Sequence, residues 1–324
     1  MKIGIDIGYG FTKAVNELGD KVIFPSLVAP AGASSLLGLF RDTDDYRPTI
    51  NISGQQQSEF LVGNAARHSF AVTQALSKEK PPELHDPLFL TAAALLGDVH
   101  QDYDVAVVLP LAYYASQKDV LQMRLQALSA HVRLNGADCF INNPNVHVLP
   151  QGAAVLLNEG IALPTRGYVG VVDPGTYTTE FLLFEMRDGQ PVPVYEACGS
   201  VEAGIHLVYS AIAREFQAQT GSPLPVGMEQ MIVDQAMNHE DICYYGDKIH
   251  LYDVFCSSQK NIATVITQKV LSAWGNRAGY IQTTLLAGGG PKFFGDALCN
   301  AFPCHDIVKD AVFANAQGGL SFLK

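Results

Sequence analysis

Short apolar blocks open the chain. Lys2–Ile7 has the composition of a strand, and Phe11–Asn16 and Lys21–Phe24 read as two more, joined by the turn Glu17-Leu18-Gly19-Asp20. The pattern therefore predicts consecutive hairpins. From Pro25 to about Gln57 it dissolves into Gly, Ser, Pro and polar residues. Phe60-Leu61-Val62-Gly63 and a helical-looking stretch from Asn64 follow, and the weakly periodic insert, about residues 25–85, ends near Pro81-Pro82 as a small subdomain. Regular spacing returns at Asp86, with a helix over Pro87–Leu96 and a strand over Asp104–Leu109 stopped by Pro110. Ser116 and Asp119 form a capping-box-like start to a helix with Val120, Leu121, Arg124, Leu125 and Leu128 at helical spacing. Val146–Leu149 reads as a strand, Gln151 to about Glu159 as a helix, and Ala162–Gly167 as a linker.

The second half restarts as the first did. Tyr168–Val172 is an apolar strand running into Asp173, followed by a Gly/Thr turn and a returning strand, Glu180–Phe184. Asp6 and Asp173 lie 167 residues apart (173 − 6), each closing a strand and leading into a hairpin. Ile205, Val208, Ile212 and Phe216 then mark an amphipathic helix, and Ile262, Val265, Ile266, Val270 and Leu271 another from about Lys260 to Trp274. The stripes and Trp274 read as core, and His206 and His305, which have no partner pattern, as ordinary histidines. Strand-turn-helix signals recur at Thr284–Gly290 and around Phe313–Gly319. Such duplication predicts two similar α/β domains, residues 1–164 and 165–324, facing each other across a cleft.

Composition narrows the function. Charged residues make up only 16% of the 324 positions and hydrophobic ones 48%, so the chain reads as compact. The net charge of −11 argues against a direct grip on nucleic-acid phosphates. There is no apolar run long enough to span a bilayer, and Asp6 stands where a signal peptide needs apolar residues, which predicts a soluble, cytoplasmic protein that does not engage membranes. The six cysteines include no Cys-x-x-Cys pair and fit reduced thiols; His239, Cys243, His250 and Cys256 match no usual zinc spacing.

The chemistry is concentrated in the turns. Asp6-Ile7-Gly8-Tyr9-Gly10-Phe11-Thr12-Lys13 packs two glycines and a hydroxyl into a tight turn, where backbone N–H groups can converge on an anion. Alone this is weak, because Gly-x-Gly also closes ordinary hairpins. A strand, not a helix, follows it, and no Gly-x-x-x-x-Gly-Lys-Ser/Thr occurs, so neither a Rossmann nor a Walker A loop is present. Asp173-Pro174-Gly175-Thr176-Tyr177-Thr178-Thr179-Glu180 offers a second such hairpin. Two of them across a cleft could hold a polyphosphate from both sides, with Asp6 and Asp173 orienting the waters of Mg²⁺. A nucleotide is the natural guest. Gly288-Gly289-Gly290 would let backbone approach a flat ligand or sugar, or simply form a strand-to-helix turn.

In order along the chain, Asp6–Lys13, Pro150-Gln151, Asp173–Glu180, Gly288–Gly290 and Phe313-Ala314-Asn315-Ala316-Gln317-Gly318 resemble phosphate 1, connect 1, phosphate 2, adenosine and connect 2 of the actin-like ATPase superfamily. The likeness covers nearly the whole chain. Asp-Ile-Gly-Tyr-Gly-Phe-Thr-Lys followed by Val22-Ile23-Phe24-Pro25-Ser26, the Pro150-Gln151-Gly152 turn and Phe-Ala-Asn-Ala-Gln-Gly resemble the ParM/StbA plasmid-segregation proteins and their archaeal actin-like relatives. The resemblance implies two actin/ribonuclease-H-like α/β domains around a nucleotide cleft, with ATP or ADP and Mg²⁺ as cofactors. It implies that the turn Gly8, Tyr9, Gly10, Phe11, Thr12 and Lys13 meets the β- and γ-phosphates, that Gly175, Thr176, Tyr177 and Thr178 close on them, and that Gly288, Gly289, Gly290 and Lys292 admit adenosine. Asp6 and Asp173 would organise Mg²⁺ through water, and Gln151 would orient the attacking water, its bland reading being a helix N-terminal cap. Pro174, Tyr177 and Glu180 depart from the family pattern, in which these positions are often small, polar or aspartate.

The function this implies is an ATPase that assembles into filaments and moves DNA through a DNA-bound adaptor protein. The alternative is a sugar or carboxylate kinase of the same fold, against which the first half offers no cluster of Asp, Asn and Glu for an acceptor. A chaperone or membrane-tethered division protein is a third reading, and the ending at Lys324, soon after Gly319, counts against it. Three glycines read no base edge, so the choice between ATP and GTP stays open.

Overall fold

The computed structural model describes residues 1–32, 45–67, 69, 71–74, 81–97, 100–224 and 228–324. Two compact units divide the chain: Met1–Ile161 together with Val312–Lys324, and Ala162–Ala311. The C-terminal segment thus belongs to the first unit, whereas the division into residues 1–164 and 165–324 places it in the second.

The first unit begins with β1 (Lys2–Ile7), β2 (Phe11–Asn16), β3 (Lys21–Pro25) and β4 (Leu27–Pro30), then β5 (Asp45–Tyr46), β6 (Thr49–Ile52), β7 (Ser58–Gly63) and β8 (Thr73–Gln74). After these come α1 (Pro82–Leu96), β9 (His100–Leu109), α2 (Leu111–Ala127), β10 (Ser129–Leu134) and β11 (Ala137–Pro150). The strand order is β3-β2-β1-β9-β11-β10-β6-β7-β4-β8, with β1 antiparallel to β2 and parallel to β9. The insert is therefore built of strands that continue the main sheet. Of the helical stretch expected from Asn64, a single 3₁₀ turn over Asn64–Ala66 is seen, and residues 68 and 70 lie outside the described residues, as do 33–44 and 75–80 of the insert.

Several starts differ from the periodicity, each for a local reason. Helix α1 begins at Pro82, a residue suited to the first helical position, with Glu83 beside the positive end of the helix dipole; Pro87 lies inside. Helix α2 begins directly after Pro110, so Ser116 is interior and its hydroxyl donates to the Tyr113 carbonyl at 3.0 Å instead of capping. Strand β11 starts well before Val146, because Asn135-Gly136, at φ 54° and 83°, closes a two-residue hairpin with Leu134 paired to Ala137. The helix expected from Gln151 is reduced to a 3₁₀ turn over Ala154–Leu157, since Gly152 at φ 77° interrupts it.

The second unit contains β12 (Arg166–Pro174), β13 (Thr179–Arg187), β14 (Gln190–Pro193), β15 (Gly199–Val201), α3 (Ile205–Thr220), α4 (Glu229–Met237), β16 (Ile242–Tyr244) and β17 (Asp247–Ile249). It continues with α5 (Tyr252–Trp274), β18 (Ile281–Leu286), α6 (Gly290–Phe294), α7 (Asp296–Cys299) and β19 (His305–Ile307). Its sheet runs β14-β13-β12-β18-β19, with two antiparallel pairings followed by two parallel ones. This matches β3-β2-β1-β9-β11 strand for strand. Val208, Ile212 and Phe216 of α3 and Phe255, Ile262, Ile266 and Val270 of α5 share one buried core. Trp274 is fully buried, and a Cβ on Gly170 would sit 2.5 Å from its ring.

The final helix, α8 (Ala314–Phe322), docks on β1 at backbone distance. A Cβ on Gly4 would fall 1.9 Å from the Ala316 carbonyl oxygen, and one on Gly318 would fall 1.8 Å from that of Ala154. Glycine at both positions is what allows this approach. No helix among the described residues is long and apolar enough to cross a membrane.

Candidate functional site

In the first unit, the end of β1 turns through Gly8–Gly10 into β2. The Gly8 N–H donates to the Phe11 carbonyl at 3.0 Å, and the Gly10 carbonyl accepts from the Ser26 N–H at 2.9 Å, so the turn is pinned at both ends. The Gly10 N–H has no protein acceptor among the described residues. The Thr12 hydroxyl lies 3.0 Å from that of Ser26 and is fully buried, a place that serves the packing of the hairpin. Tyr9 is buried and, with Ile7, Leu109, Pro110, Leu121 and Arg124, lines a cavity of about 610 Å³.

The β1–β2 register sets Asp6 opposite Lys13 on one face of the sheet. The Lys13 ammonium donates to Asp6 Oδ2 at 2.9 Å, and Gln151 Nε2 donates to Asp6 Oδ1 at 2.8 Å. Because a carboxylate only accepts, this bond fixes which way the Gln151 amide faces and leaves its Oε1 as an acceptor. The main chain of Gln151 is held by its own N–H on the Leu109 carbonyl, at 2.7 Å. The next amide, Gly152 N–H, donates to Asn315 Oδ1 at 2.9 Å. Thus α8 supports the turn that carries Gln151.

In the second unit the equivalent register sets Asp173 opposite Glu180. Both are buried; Glu180 Oε1 accepts from the Thr178 hydroxyl at 2.9 Å and from the Ser200 hydroxyl at 3.1 Å. The hairpin closes with the Gly175 N–H on the Thr178 carbonyl at 2.8 Å, and the Thr176 N–H has no protein acceptor among the described residues. Outside the turn, the first two amides of α3 hold it: Ile205 N–H on the Gly175 carbonyl at 3.2 Å and His206 N–H on that of Thr176 at 2.8 Å. A Cβ on Gly204 would lie 2.7 Å from both carbonyl oxygens, so only glycine permits this approach. Gly288, at φ 72°, packs against the same turn, since a Cβ there would be 2.2 Å from Asp173 Oδ1. A Cβ on Gly290 would be 2.3 Å from that of Pro174; the proline that departs from the family pattern is thus matched by a glycine. Gly289 is partly buried and Lys292 is exposed on α6.

Within the first unit, then, Asp6, Lys13 and Gln151 converge; within the second, Asp173, the Gly175–Thr178 turn and Gly288–Gly290 do. Residues not foreseen in these roles are Asn315 and Ser26 in the first unit and Gly204, His206 and Ser200 in the second. Their partners are distant in sequence, so no local pattern announces them. As donors for a cation, Asp6 and Asp173 are hard oxygen ligands, and no group of three or more His, Cys, Asp or Glu among the described residues could cage a metal. A hard carboxylate of this kind, in either unit taken by itself, suits an ion such as Mg²⁺ that keeps several of its waters.

Two family models match the chain: actin-like proteins, N-terminal domain, over residues 4–153, and archaeal actin homologue MreB-like, C-terminal, over residues 171–300. An archaeal actin homologue of Thermoplasma acidophilum is 27% identical over 98% of this chain and 96% of its own length. A 15-stranded ParM filament from Clostridium botulinum superposes with a TM-score of 0.89 at 24% identity, over 99% of this chain and 98% of that one. An archaeal actin homologue in complex with ADP superposes with a TM-score of 0.80 at 23% identity, over the same shares.

Proposed function

The chain belongs to the actin-like proteins, matched by family models of actin-like and archaeal actin homologue domains, and from that premise we propose that it binds and hydrolyses ATP and assembles into nucleotide-dependent filaments. The observation that carries this reading is the Asp6 carboxylate, bonded at one oxygen to Lys13 and at the other to Gln151 beside a turn with an open amide. The Gly10 N–H and the Lys13 ammonium would meet phosphate oxygens, the ammonium as a point charge. Gly8, Tyr9, Phe11 and Thr12 would act as the frame of that turn. Gly175, Thr176, Tyr177 and Thr178 are assigned by the same proposal to the phosphates, and Gly288, Gly289, Gly290 and Lys292 to adenosine. Asp6 and Asp173 would hold Mg²⁺ through water, and the ion would neutralise charge on the phosphates. Gln151, with its nitrogen tethered to Asp6, would present Oε1 to a water and so orient it for attack, catalysis resting on positioning and charge.

Filament growth would follow from ATP favouring one conformation and hydrolysis releasing it. The ParM relative that superposes on this chain is itself a filament. We assign the filament to DNA or plasmid segregation or cytoskeletal positioning in the cytoplasm; for DNA cargo, a DNA-bound adaptor would make the link, because a net charge of −11 disfavours direct contact with nucleic acid. The matched families and relatives give the kinase alternative no support. Light scattering and sedimentation with ATP, ADP and no nucleotide test the proposal. Pelleting that requires ATP is the expected result; a monomer whose ATP turnover needs an added sugar would overturn it.

A further inference from the structure

The ring of His206 is fastened to two successive residues of the second turn. Its Nδ1 lies 3.1 Å from the Thr176 carbonyl oxygen, the same atom that accepts the His206 main-chain N–H at 2.8 Å. A carbonyl only accepts, so the hydrogen sits on Nδ1. The imidazole also stacks on Tyr177, with centroids 4.6 Å apart and planes at 26°. Half-buried, the ring is pushed toward the neutral form by desolvation, while the Thr176 carbonyl bond and the Glu202 carboxylate favour the charged form. Both forms carry a hydrogen on Nδ1, so the bond to Thr176 persists in either. Helix α3 does not need this contact for its own anchorage, which Val208, Ile212 and Phe216 provide in the core.

The consequence lies in the peptide planes. In a trans peptide the C=O of one residue and the N–H of the next point in opposite directions. Ile205 holding the Gly175 carbonyl therefore aims the Thr176 N–H away from α3, and His206 holding the Thr176 carbonyl aims the Tyr177 N–H the same way. Successive amides turned to one side form an anion-binding concavity. We propose that His206 is a positioning residue for nucleotide phosphates, its imidazole clamping the Thr176 carbonyl and the Tyr177 ring so that these amides stay aimed at the anion. The inference rests on the nucleotide reading given above and names the residue that orients its second turn.

The test is steady-state ATP turnover and ADP titration on the full chain carrying His206→Ala, His206→Phe or His206→Asn. Loss of the clamp should raise KM for ATP and Kd for ADP about tenfold in the Ala and Phe variants, the effect of one lost hydrogen bond, with kcat changed by less than about twofold. Asn, whose side-chain N–H can replace Nδ1–H, should restore KM to within about threefold of the parent. A merely structural histidine would instead lower kcat by reducing the folded fraction and leave KM alone. Parental KM in the Ala variant, or Asn no better than Phe, overturns the inference. If Ala fails to fold, the comparison of Asn with Phe decides it. A parent protein that binds neither ATP nor ADP overturns the nucleotide reading and this inference together, whereas tight parental binding with an unaffected Ala variant sinks this inference alone.

Discussion

Gln151 is tethered at its nitrogen and open at its oxygen, and the two ends make separable predictions. Gln151→Ala removes the water-orienting oxygen but leaves the Lys13–Asp6 ion pair, so phosphate release should slow on the order of a hundredfold while ATP-driven assembly persists. Phosphate release at the parental rate would refute the role given to Gln151. His206 makes a prediction about acid. Burial lowers its pKa in the folded state, so the unfolded chain binds the extra proton first as pH falls from neutral through the ordinary histidine range. Its contribution therefore makes the protein less stable toward acid, and thermal melts across that range should show a shallower loss in His206→Asn than in the parent. Asp6, Lys13 and Gln151 were legible as a motif. Their mutual bonding was not, because Gln151 and Asp6 are 145 residues apart and Asn315 reaches Gly152 across 163.

At the scale of elements, the hairpins were readable because Asp6 and Asp173 each end an apolar strand before a glycine turn. The helix starts were not, because proline signals both a first turn and a break: Pro82 opens α1 while Pro87 lies within it. Asn135-Gly136 carried a strong hairpin signal that the apolar pattern alone passed over, since β11 alternates buried and exposed positions without a long apolar block. Forcing alanine into that left-handed position, as Gly136→Ala, should destabilise the first unit by about 1–2 kcal/mol, read as a lower denaturant midpoint in urea. Gly204→Ala would push a methyl into two carbonyl oxygens and should cost about 1–3 kcal/mol in the second unit, with weaker ADP binding alongside.

At the scale of the whole molecule, like-charged copies must come together to build a filament. With −11 on each, screening should help: raising ionic strength from low to physiological should lower the concentration at which ATP-driven pelleting begins, and a rise instead would point to assembly dominated by attraction between opposite charges. The duplication into two similar α/β units was foreseen from the repeated Asp-and-glycine turn, yet their shared five-strand order and the allocation of α8 were not, since strand pairing carries no local signal and the glycines at 4 and 318 show where the helix docks only once the structure is seen. That docking has a biosynthetic consequence. Residues 162–311 form one uninterrupted stretch, so the second unit needs nothing beyond residue 311 to complete its fold. The first unit, though begun earliest, must wait for α8 to emerge, its β1 face uncovered in the meantime. Released chains truncated before residue 312 should accordingly show protease-resistant second units and protease-sensitive first units.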